Sequence, residues 1–301
     1  MGGNRFLQFG AEFGFDEPRR VYARLDQSEG ERVYLEAIDA DWFDIALRSN
    51  ADFRNWVERS PDAPIYVLET DVKRYVAATG FRHYEKSEDR FEDEEHDWVE
   101  ITIQSGGNNA LIYPNLFVEG RLTGIAISPF PPPLAQELAA AFSLDDYVVD
   151  QRRIERALAS LQDPIEWIGV YDVGQGSAAG LCDRRGLPLA YFDLGGGVLG
   201  NVGTFPGALH NFCFTWAPPI ILSHWDWDHW SSGARFTRSM AMTWIVPNQT
   251  LGAVHPAQAG PLRPMASSWS GPLPYPRFRS ARLSWSNATA MAGTNPDWQS
   301  R

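Results

Sequence analysis

The chain has 301 residues, of which 44% are hydrophobic and 21% are charged. This composition excludes a disordered or fibrous protein, and the length is enough for two domains of ordinary size. The net charge of −12 does not favour nucleic acid as a partner. After residue 230, however, seven arginines stand against a single acid, Asp297, which leaves that possibility open for the C-terminal part.

The cellular location is predicted from three features of the sequence. Residues 1–10 show no basic segment followed by a long apolar run, so no signal peptide is expected. No stretch approaches about 18 consecutive apolar residues, so we expect no membrane-spanning helix and no membrane partner. The two cysteines, Cys182 and Cys213, could form only one pair, and a reducing compartment is the simpler interpretation. Together these features predict a cytoplasmic protein.

The first part of the chain, residues 1–163, is predicted to be an α+β domain. Apolar residues that alternate along the chain predict strands, and apolar residues at helical spacing predict helices. The predicted strands are 32–38, 63–68, 98–104, 110–117 and 124–128. The predicted helices are 42–49, 52–59 and 72–79, the last of which ends at Gly80. No motif in this domain indicates its role.

A proline-rich segment, Ser128-Pro-Phe-Pro-Pro-Pro133, interrupts this pattern. Because proline fixes φ and lacks an amide donor, the segment is neither a helix interior nor an inner strand. Helices are predicted over 134–142 and 150–161, and Pro164 closes the region. We place a domain boundary near residue 163, with a second domain over 164–301.

In the second domain, three predicted strands each lead into a polar or glycine-rich loop. These strands cover 167–173, 187–194 and 218–223. Two further strands and a short helix are predicted over 241–246, 278–285 and 249–254, respectively. Loops at strand ends commonly carry functional groups, and glycine lets the backbone approach a ligand closely. The loop after 218–223 is therefore the first candidate site.

That loop holds two histidines and two aspartates: His224, Asp226, Asp228 and His229. Imidazole nitrogens and carboxylate oxygens bind zinc, and they suit manganese or iron as well. A tight loop with this spacing can direct all four side chains inward, which favours a pair of divalent ions. The alternative is that Asp228 caps a helix that starts near His229 and that the histidines are incidental. Four such residues within six positions favour the metal site.

Three segments resemble, in the same order, those of the metallo-β-lactamase superfamily of hydrolases. They are Tyr171-Asp-Val-Gly-Gln-Gly-Ser177, Ala190-Tyr-Phe-Asp-Leu-Gly-Gly196 and Leu222-Ser-His-Trp-Asp-Trp-Asp-His229. They are most similar to the soluble, ComEC-like metallo-hydrolase domain of competence proteins, which also opens with Asp-Val-Gly-Gln-Gly and can carry Asp in place of the second His. The resemblance implies an αββα sandwich and metal-dependent hydrolysis, including phosphodiester cleavage of nucleic acids in several branches.

The resemblance also implies a role for each matching residue. His224 and Asp226 would bind the first metal ion, and Asp228 and His229 the second. Asp193 would orient the ligands without binding metal itself. Asp228 and Asp193 are thus the residues to which the resemblance assigns catalysis. Zinc is the expected metal, with manganese or iron as alternatives.

The family pattern continues beyond the matching segments with a third His, a bridging Asp and a final His. After His229 this chain has one His, His255, and one Asp, Asp297. His255 precedes a proline and is interpreted as a surface residue, and Asp297 lies close to the chain end, where residues tend to fray. Three explanations stay open: the chain is a fragment, a partner chain completes the site, or the domain is a degenerate binding module.

The leading hypothesis is a nuclease-like, metal-dependent hydrolase that acts on nucleic acid or another phosphodiester. The alternative is a degenerate or split interaction module that needs a protein partner to complete the metal site. A thioesterase or lactonase ranks lower, because those branches usually carry His at the position of Asp226. Trp225, Trp227 and Trp230 flank the ligands and are expected to pack in the core, although exposed rings there could stack on bases.

Overall fold

The fold is described from a computed structural model of the chain, which divides into two compact units. The first unit comprises Met1–Asp146 and Gln249–Pro261, and the second comprises Tyr147–Asn248 and Leu262–Arg301. The structure describes residues 4–10, 15–49, 63–80, 98–130, 132–142, 151–159, 164–248, 251–255 and 263–267.

Six antiparallel strands of the first unit close into a barrel, in the order β1-β2-β3-β5-β6-β4. The strands are β1 (Arg20–Glu29), β2 (Arg32–Asp39), β3 (Ile65–Asp71), β4 (Trp98–Gln104), β5 (Ala110–Tyr113) and β6 (Arg121–Pro129). β1 pairs with β2 on one side and with β4 on the other, and β4 continues to β6. Closure therefore depends on pairing between strands that are far apart in the chain.

Alternating apolar side chains fill the barrel. Val21 and Ala23 of β1 lie in one buried cluster with Leu35 of β2, Ile101 of β4 and Ile112 of β5. Because successive side chains of a strand point to opposite faces, residues two positions apart share the interior face. Burial of each valine, leucine or isoleucine side chain in this cluster contributes roughly 1.5–3 kcal/mol to the free energy of unfolding.

The helices of the first unit are short and begin or end at recognisable residues. They are α1 (Ala40–Ser49), α2 (Val72–Thr79) and α3 (Pro132–Ala141). The carboxylate of Asp71 accepts hydrogen bonds from the backbone N–H groups of Lys73 and Arg74, which caps α2. Gly80 ends α2 in the left-handed conformation, with φ of 73°. The helix predicted over 72–79 is confirmed, as is the strand predicted over 98–104.

The second unit is built on one mixed sheet of six strands, in the order β12-β11-β10-β9-β8-β7. The strands are β7 (Trp167–Val170), β8 (Ala178–Cys182), β9 (Pro188–Leu194), β10 (Ile220–Ile221), β11 (Thr243–Pro247) and β12 (Arg263–Ser267). β7, β8 and β9 are antiparallel, and β9 to β12 are parallel. Among the residues described here, this unit has the α-helices α4 (Gln151–Ala159) and α5 (Trp227–Arg235), and α5 packs against β9.

The fold predicted from the sequence is wrong in both parts. The expected α+β domain is a closed antiparallel barrel, and the part of the chain that the structure describes does not form the expected αββα sandwich. Within the residues that the structure describes, the second unit has one mixed sheet, whereas an αββα fold requires two sheets between two layers of helices. The cause is physical, because local periodicity predicts strands but does not determine which strands pair.

Individual elements differ from the predictions as well. β1, β8 and β12 were not predicted, and residues 251–253 are not helical although a helix was expected over 249–254. The helix predicted over 52–59 and the strand predicted over 278–285 lie outside the described residues. None of the helices described here has both the length and the apolar character needed to cross a membrane. Cys182 and Cys213 are free thiols.

Candidate functional site

β9 and β10 run parallel, and their carboxyl ends lie side by side at one edge of the sheet. Ile220 pairs with Tyr191 and Ile221 with Phe192. Ser223, two residues beyond the end of β10, is hydrogen-bonded to Asp193 near the end of β9. Asp193 has a φ of 57°, a left-handed conformation that is unusual for a residue other than glycine. The sheet thus places Asp193 next to the start of the loop that contains His224 and His229.

Asp193 is a buried acceptor of three hydrogen bonds. Its Oδ1 accepts from the backbone N–H of Ser223 (2.8 Å), and its Oδ2 accepts from Oγ of Ser223 (3.0 Å) and from Nδ1 of His229 (2.8 Å). Burial by itself raises the pKa of the Asp193 carboxyl, but the hydrogen bonds from His229 and Ser223 outweigh burial and lower it. An ionised Asp193 therefore fixes the His229 ring with Nδ1 as the donor.

The orientation of His229 leaves its Nε2 directed away from Asp193. Oδ1 of Asp228 lies 3.9 Å from that atom. Burial raises the pKa of the Asp228 carboxyl, and the electrostatic effect of the neighbouring His229 acts in the opposite direction. The side chains of His229 and Asp228 are 21% and 25% exposed, so solvent or a small ligand reaches both.

Asp226 occupies the N-cap position of α5, but its side chain makes no capping hydrogen bond. Its Oδ2 lies 3.0 Å from Nε2 of His224, and the hydrogen bond between them raises the pKa of His224. The alternative in which Asp228 caps a helix starting near His229 is wrong, because α5 begins at Trp227. The rings of His224 and His229 lie 3.9 Å apart between centroids, so the two carboxylate–histidine pairs are adjacent.

Two glycine-rich loops hold the first turn of α5 by its backbone. The carbonyl oxygen of Asp228 accepts hydrogen bonds from the backbone N–H groups of Ser177 (3.0 Å) and Gly196 (3.1 Å). A Cβ atom on Gly195 would lie 1.6 Å from that same oxygen, so no larger residue fits there without movement of the backbone. All three sequence segments that were singled out therefore meet at Asp228.

The far side of α5 is tied to the same glycine loop. Oγ of Ser231 donates to the carbonyl of Gly196 (2.8 Å), and Arg235 donates through Nη2 to the carbonyl of Gly197. The Arg235 guanidinium lies over the ring of Phe205, 4.1 Å from its centroid. Burial lowers the pKa of Arg235 to about 10. These contacts position α5, and Arg235 is turned away from solvent.

The tryptophans beside the ligands belong to the core. Trp225, Trp227 and Trp230 are at most 1% exposed. Nε1 of Trp225 donates to the carbonyl of Pro247 (3.0 Å), and Nε1 of Trp230 donates to the carbonyl of Trp225 (3.0 Å). The expectation that they pack in the core is confirmed, and these rings are not placed to stack on bases.

The motif side chains offer metal ligands in two pairs. Two ligand atoms of a tetrahedral zinc ion with bonds of about 2.0 Å are about 3.3 Å apart. The His224 Nε2–Asp226 Oδ2 distance (3.0 Å) is slightly below that spacing, and the His229 Nε2–Asp228 Oδ1 distance (3.9 Å) is above it. The donor chemistry thus fits a divalent ion at each pair, with the remaining coordination positions left for water, substrate or another protein group.

A different cluster brings three ligand atoms together. Asp26, Glu36 and His255 form the one group of three in the described part of the chain whose ligand atoms all lie within 4.8 Å of one another. His255 is 1% exposed, so its interpretation as a surface histidine is wrong. Burial alone would lower the pKa of His255, but the carboxylates of Glu36 and Asp26 outweigh it and raise the pKa to about 10.

Sequence reasoning also missed Ser223, although it was quoted within the motif. Its position one residue before His224 was a usable signal, because a hydroxyl next to a ligand can orient it. For Asp26 and Glu36 no local signal existed, since each is one carboxylate within a strand and His255 lies more than 200 residues further along the chain. Searches against protein families, curated proteins and solved structures found no match, so the functional argument rests on the chemistry of the site.

Proposed function

We propose that the chain is a metal-dependent hydrolase whose site is the loop between β10 and α5. One observation carries the proposal: buried Asp193 accepts from Nδ1 of His229 at 2.8 Å, and Nε2 of that ring faces Asp228. Histidines that bind metal commonly donate their other ring N–H to a carboxylate in this way. The sequence of the ligand loop resembles that of metallo-β-lactamases, and this function does not require their fold.

Four side chains of the loop would bind metal, and Asp193 would orient one of these ligands. His224, Asp226, Asp228 and His229 would hold divalent metal, with zinc the expected ion and manganese or iron as alternatives. A bound divalent ion supplies Lewis acidity, which activates water near neutral pH and stabilises charge that develops on an ester oxygen. Asp193 keeps His229 in the tautomer that presents the Nε2 lone pair.

A phosphodiester is the proposed substrate class. Its support lies in the sequence, where seven arginines and one acid follow residue 230, so that this stretch carries positive charge suited to phosphate. Arg235 is not among the arginines available for this purpose, because it is buried against Phe205 and the Gly197 carbonyl. A nucleic acid is one polymer of this class, and a small cyclic or linear diester is another.

The test combines metal content with cleavage assays on the full chain. Metal per chain is measured by plasma emission spectrometry, and single- and double-stranded DNA and RNA and a chromogenic diester are assayed with Zn²⁺ and with Mn²⁺. We expect His224→Ala and His229→Ala to lower activity at least 100-fold. His210→Ala, an exposed histidine of the same unit, is the matched control and should retain full activity. Activity that survives in both ligand variants would refute the proposal.

A split interaction module is the second candidate, and the pairing of the motif ligands favours it. Each pair supplies two protein ligands, which is fewer than the three that catalytic zinc sites usually have. This candidate predicts that tight metal binding at the loop appears only after co-expression with a partner protein. Metal titrations of the chain alone and of the co-purified complex distinguish the two candidates.

A further inference from the structure

A second cluster of possible ligands lies in the first unit, which contains none of the loop ligands. It consists of the carboxylates of Asp26 and Glu36 and the imidazole of His255. Nε2 of His255 is 2.9 Å from Oδ1 of Asp26 and 2.9 Å from Oε1 of Glu36. Asp26 belongs to β1 and Glu36 to β2, whereas His255 comes from a segment 229 residues beyond Asp26. Three separate parts of the chain thus bring one ligand atom each to the same point.

A β-bulge places Asp26 in this position. The register of β1 and β2 shifts between Leu25, which pairs with Leu35, and Gln27, which pairs with Tyr34, so Asp26 is the extra residue. A bulge redirects a side chain and is common beside functional sites. Leu35 faces the barrel core, so Glu36, its neighbour along β2, faces outward. The bulge therefore places the Asp26 carboxylate close to the outward-facing carboxylate of Glu36 on β2.

Segment 251–255 packs against the two carboxylates and contacts both of them. Glu36 is fully buried, and Oε2 of Glu36 accepts from the backbone N–H of Val254 (2.9 Å), while its Oε1 faces His255. A Cβ atom on Gly252 would lie 2.3 Å from Oε2 of Glu36, so the close approach requires glycine at that position. The Asp26 side chain is 14% exposed, which gives an ion access from solvent.

The spacing and chemistry of these atoms suit a metal ion. Burial of the Glu36 carboxylate beside the partly exposed Asp26 is costly unless a cation compensates their charge. Separations of 2.9 Å between ligand atoms are close to the value of about 3.3 Å expected around tetrahedral zinc. One imidazole nitrogen and two carboxylate oxygens form a ligand set used by zinc, manganese and iron.

We propose that Asp26, Glu36 and His255 bind one divalent transition-metal ion, at a site separate from the loop between β10 and α5. The ion would join the bulged strand β1 and strand β2 to segment 251–255. This proposal does not depend on the hydrolase proposal, because the two sites share no residue.

The experiment measures Zn²⁺ and Mn²⁺ binding to the full chain in which the loop site has been removed by His224→Ala and His229→Ala. We expect this variant to keep one ion per chain after dialysis against buffered metal. Adding Asp26→Asn or His255→Gln should weaken binding by at least about 100-fold, because loss of a direct ligand costs more than the 10–100-fold cost of an orienting residue. Glu29→Gln, an exposed carboxylate on β1, is the matched control and should keep the ion.

A second readout guards against variants that fail to fold. Co²⁺ bound to the loop-deficient chain should give visible absorption bands of nitrogen and oxygen ligation, and Asp26→Asn should abolish them while circular dichroism stays unchanged. If the loop-deficient chain binds no ion, or if Asp26→Asn and His255→Gln bind as tightly as their parent, the proposal is overturned. The cation between the carboxylates would then be a protonated His255, with buried Arg24 opposite Glu36 in the strand pairing.

Discussion

Nδ1 of His229 lies 2.8 Å from Oδ2 of Asp193, a residue 36 positions earlier in the chain. The contact exists because β9 and β10 are parallel neighbours and a short loop joins β10 to α5. It orients His229, whose other ring nitrogen, Nε2, faces the carboxylate of Asp228. Metal binding by the pair of His229 and Asp228 is therefore expected to depend on this contact.

Asp193→Asn should weaken metal binding at the loop 10–100-fold while the fold is retained. The amide keeps the size of the side chain, but it removes the charge that holds Nδ1 of His229 as a donor. Competition with a chromophoric chelator measures the affinity. Asp172→Asn, an exposed aspartate that accepts from the backbone N–H of Gly174 (3.2 Å), is the control and should bind like the wild type. Equal affinity in the two variants would contradict the assigned role of Asp193.

Gly195→Ala should destabilise the second unit and displace the ligand loop. The added Cβ would lie 1.6 Å from the carbonyl oxygen of Asp228, and such overpacking costs roughly 1–3 kcal/mol or more. Thermal unfolding should show a lower Tm, and metal binding should weaken in parallel. Gly203→Ala is the matched control, because a Cβ there has no neighbour within 4 Å. A Gly195→Ala protein as stable as Gly203→Ala would show that the loop contact is not made.

Trp230→Phe should lower the free energy of unfolding by about 1–3 kcal/mol, because the buried carbonyl of Trp225 loses its donor. Chemical denaturation measures this change. Trp216→Phe, at a site where the ring is 63% exposed, should have little effect on stability. Unchanged stability in Trp230→Phe together with weaker binding to single-stranded DNA would mean that the ring is accessible to bases. That result would contradict the complete burial of Trp230.

Asp183→Asn should lower stability in a pH-dependent way. The carboxylate accepts from the backbone N–H groups of Arg185 (2.8 Å) and Leu187 (2.9 Å) and from Nε of Arg185 (2.9 Å) in the turn between β8 and β9. Burial would raise the pKa of Asp183, but these hydrogen bonds outweigh it and lower the pKa.

Since the folded-state pKa of Asp183 lies below its unfolded value of about 3.9, the stabilisation is present above that pH and is lost as pH falls through the folded-state value. The Tm difference between wild type and Asp183→Asn should therefore be full at pH 7 and should shrink below about pH 4. Glu166→Gln, at an exposed site of the same unit, controls for the change in charge. A difference that grows as the solution is acidified would be contrary to this expectation.

Some elements could be predicted because their signals are local. α2 follows from the cap at Asp71 and the stop at Gly80, and β4 follows from its own alternation. β1 carries the same kind of signal in Val21, Ala23 and Leu25, and an alternation search would have found it. The extra residue at Asp26 breaks that alternation near the middle of the strand.

The ligand loop itself was determined by the sequence, because His224, Asp226, Asp228 and His229 lie within six residues and no folding is needed to bring them near one another. Their division into two pairs, and the buried carboxylate behind one of them, depend on how β9, β10 and α5 pack. The barrel and the cluster of Asp26, Glu36 and His255 were decided by tertiary structure alone. The reason is that strand pairing and a contact between residues 229 positions apart leave no periodic trace in a local stretch of sequence.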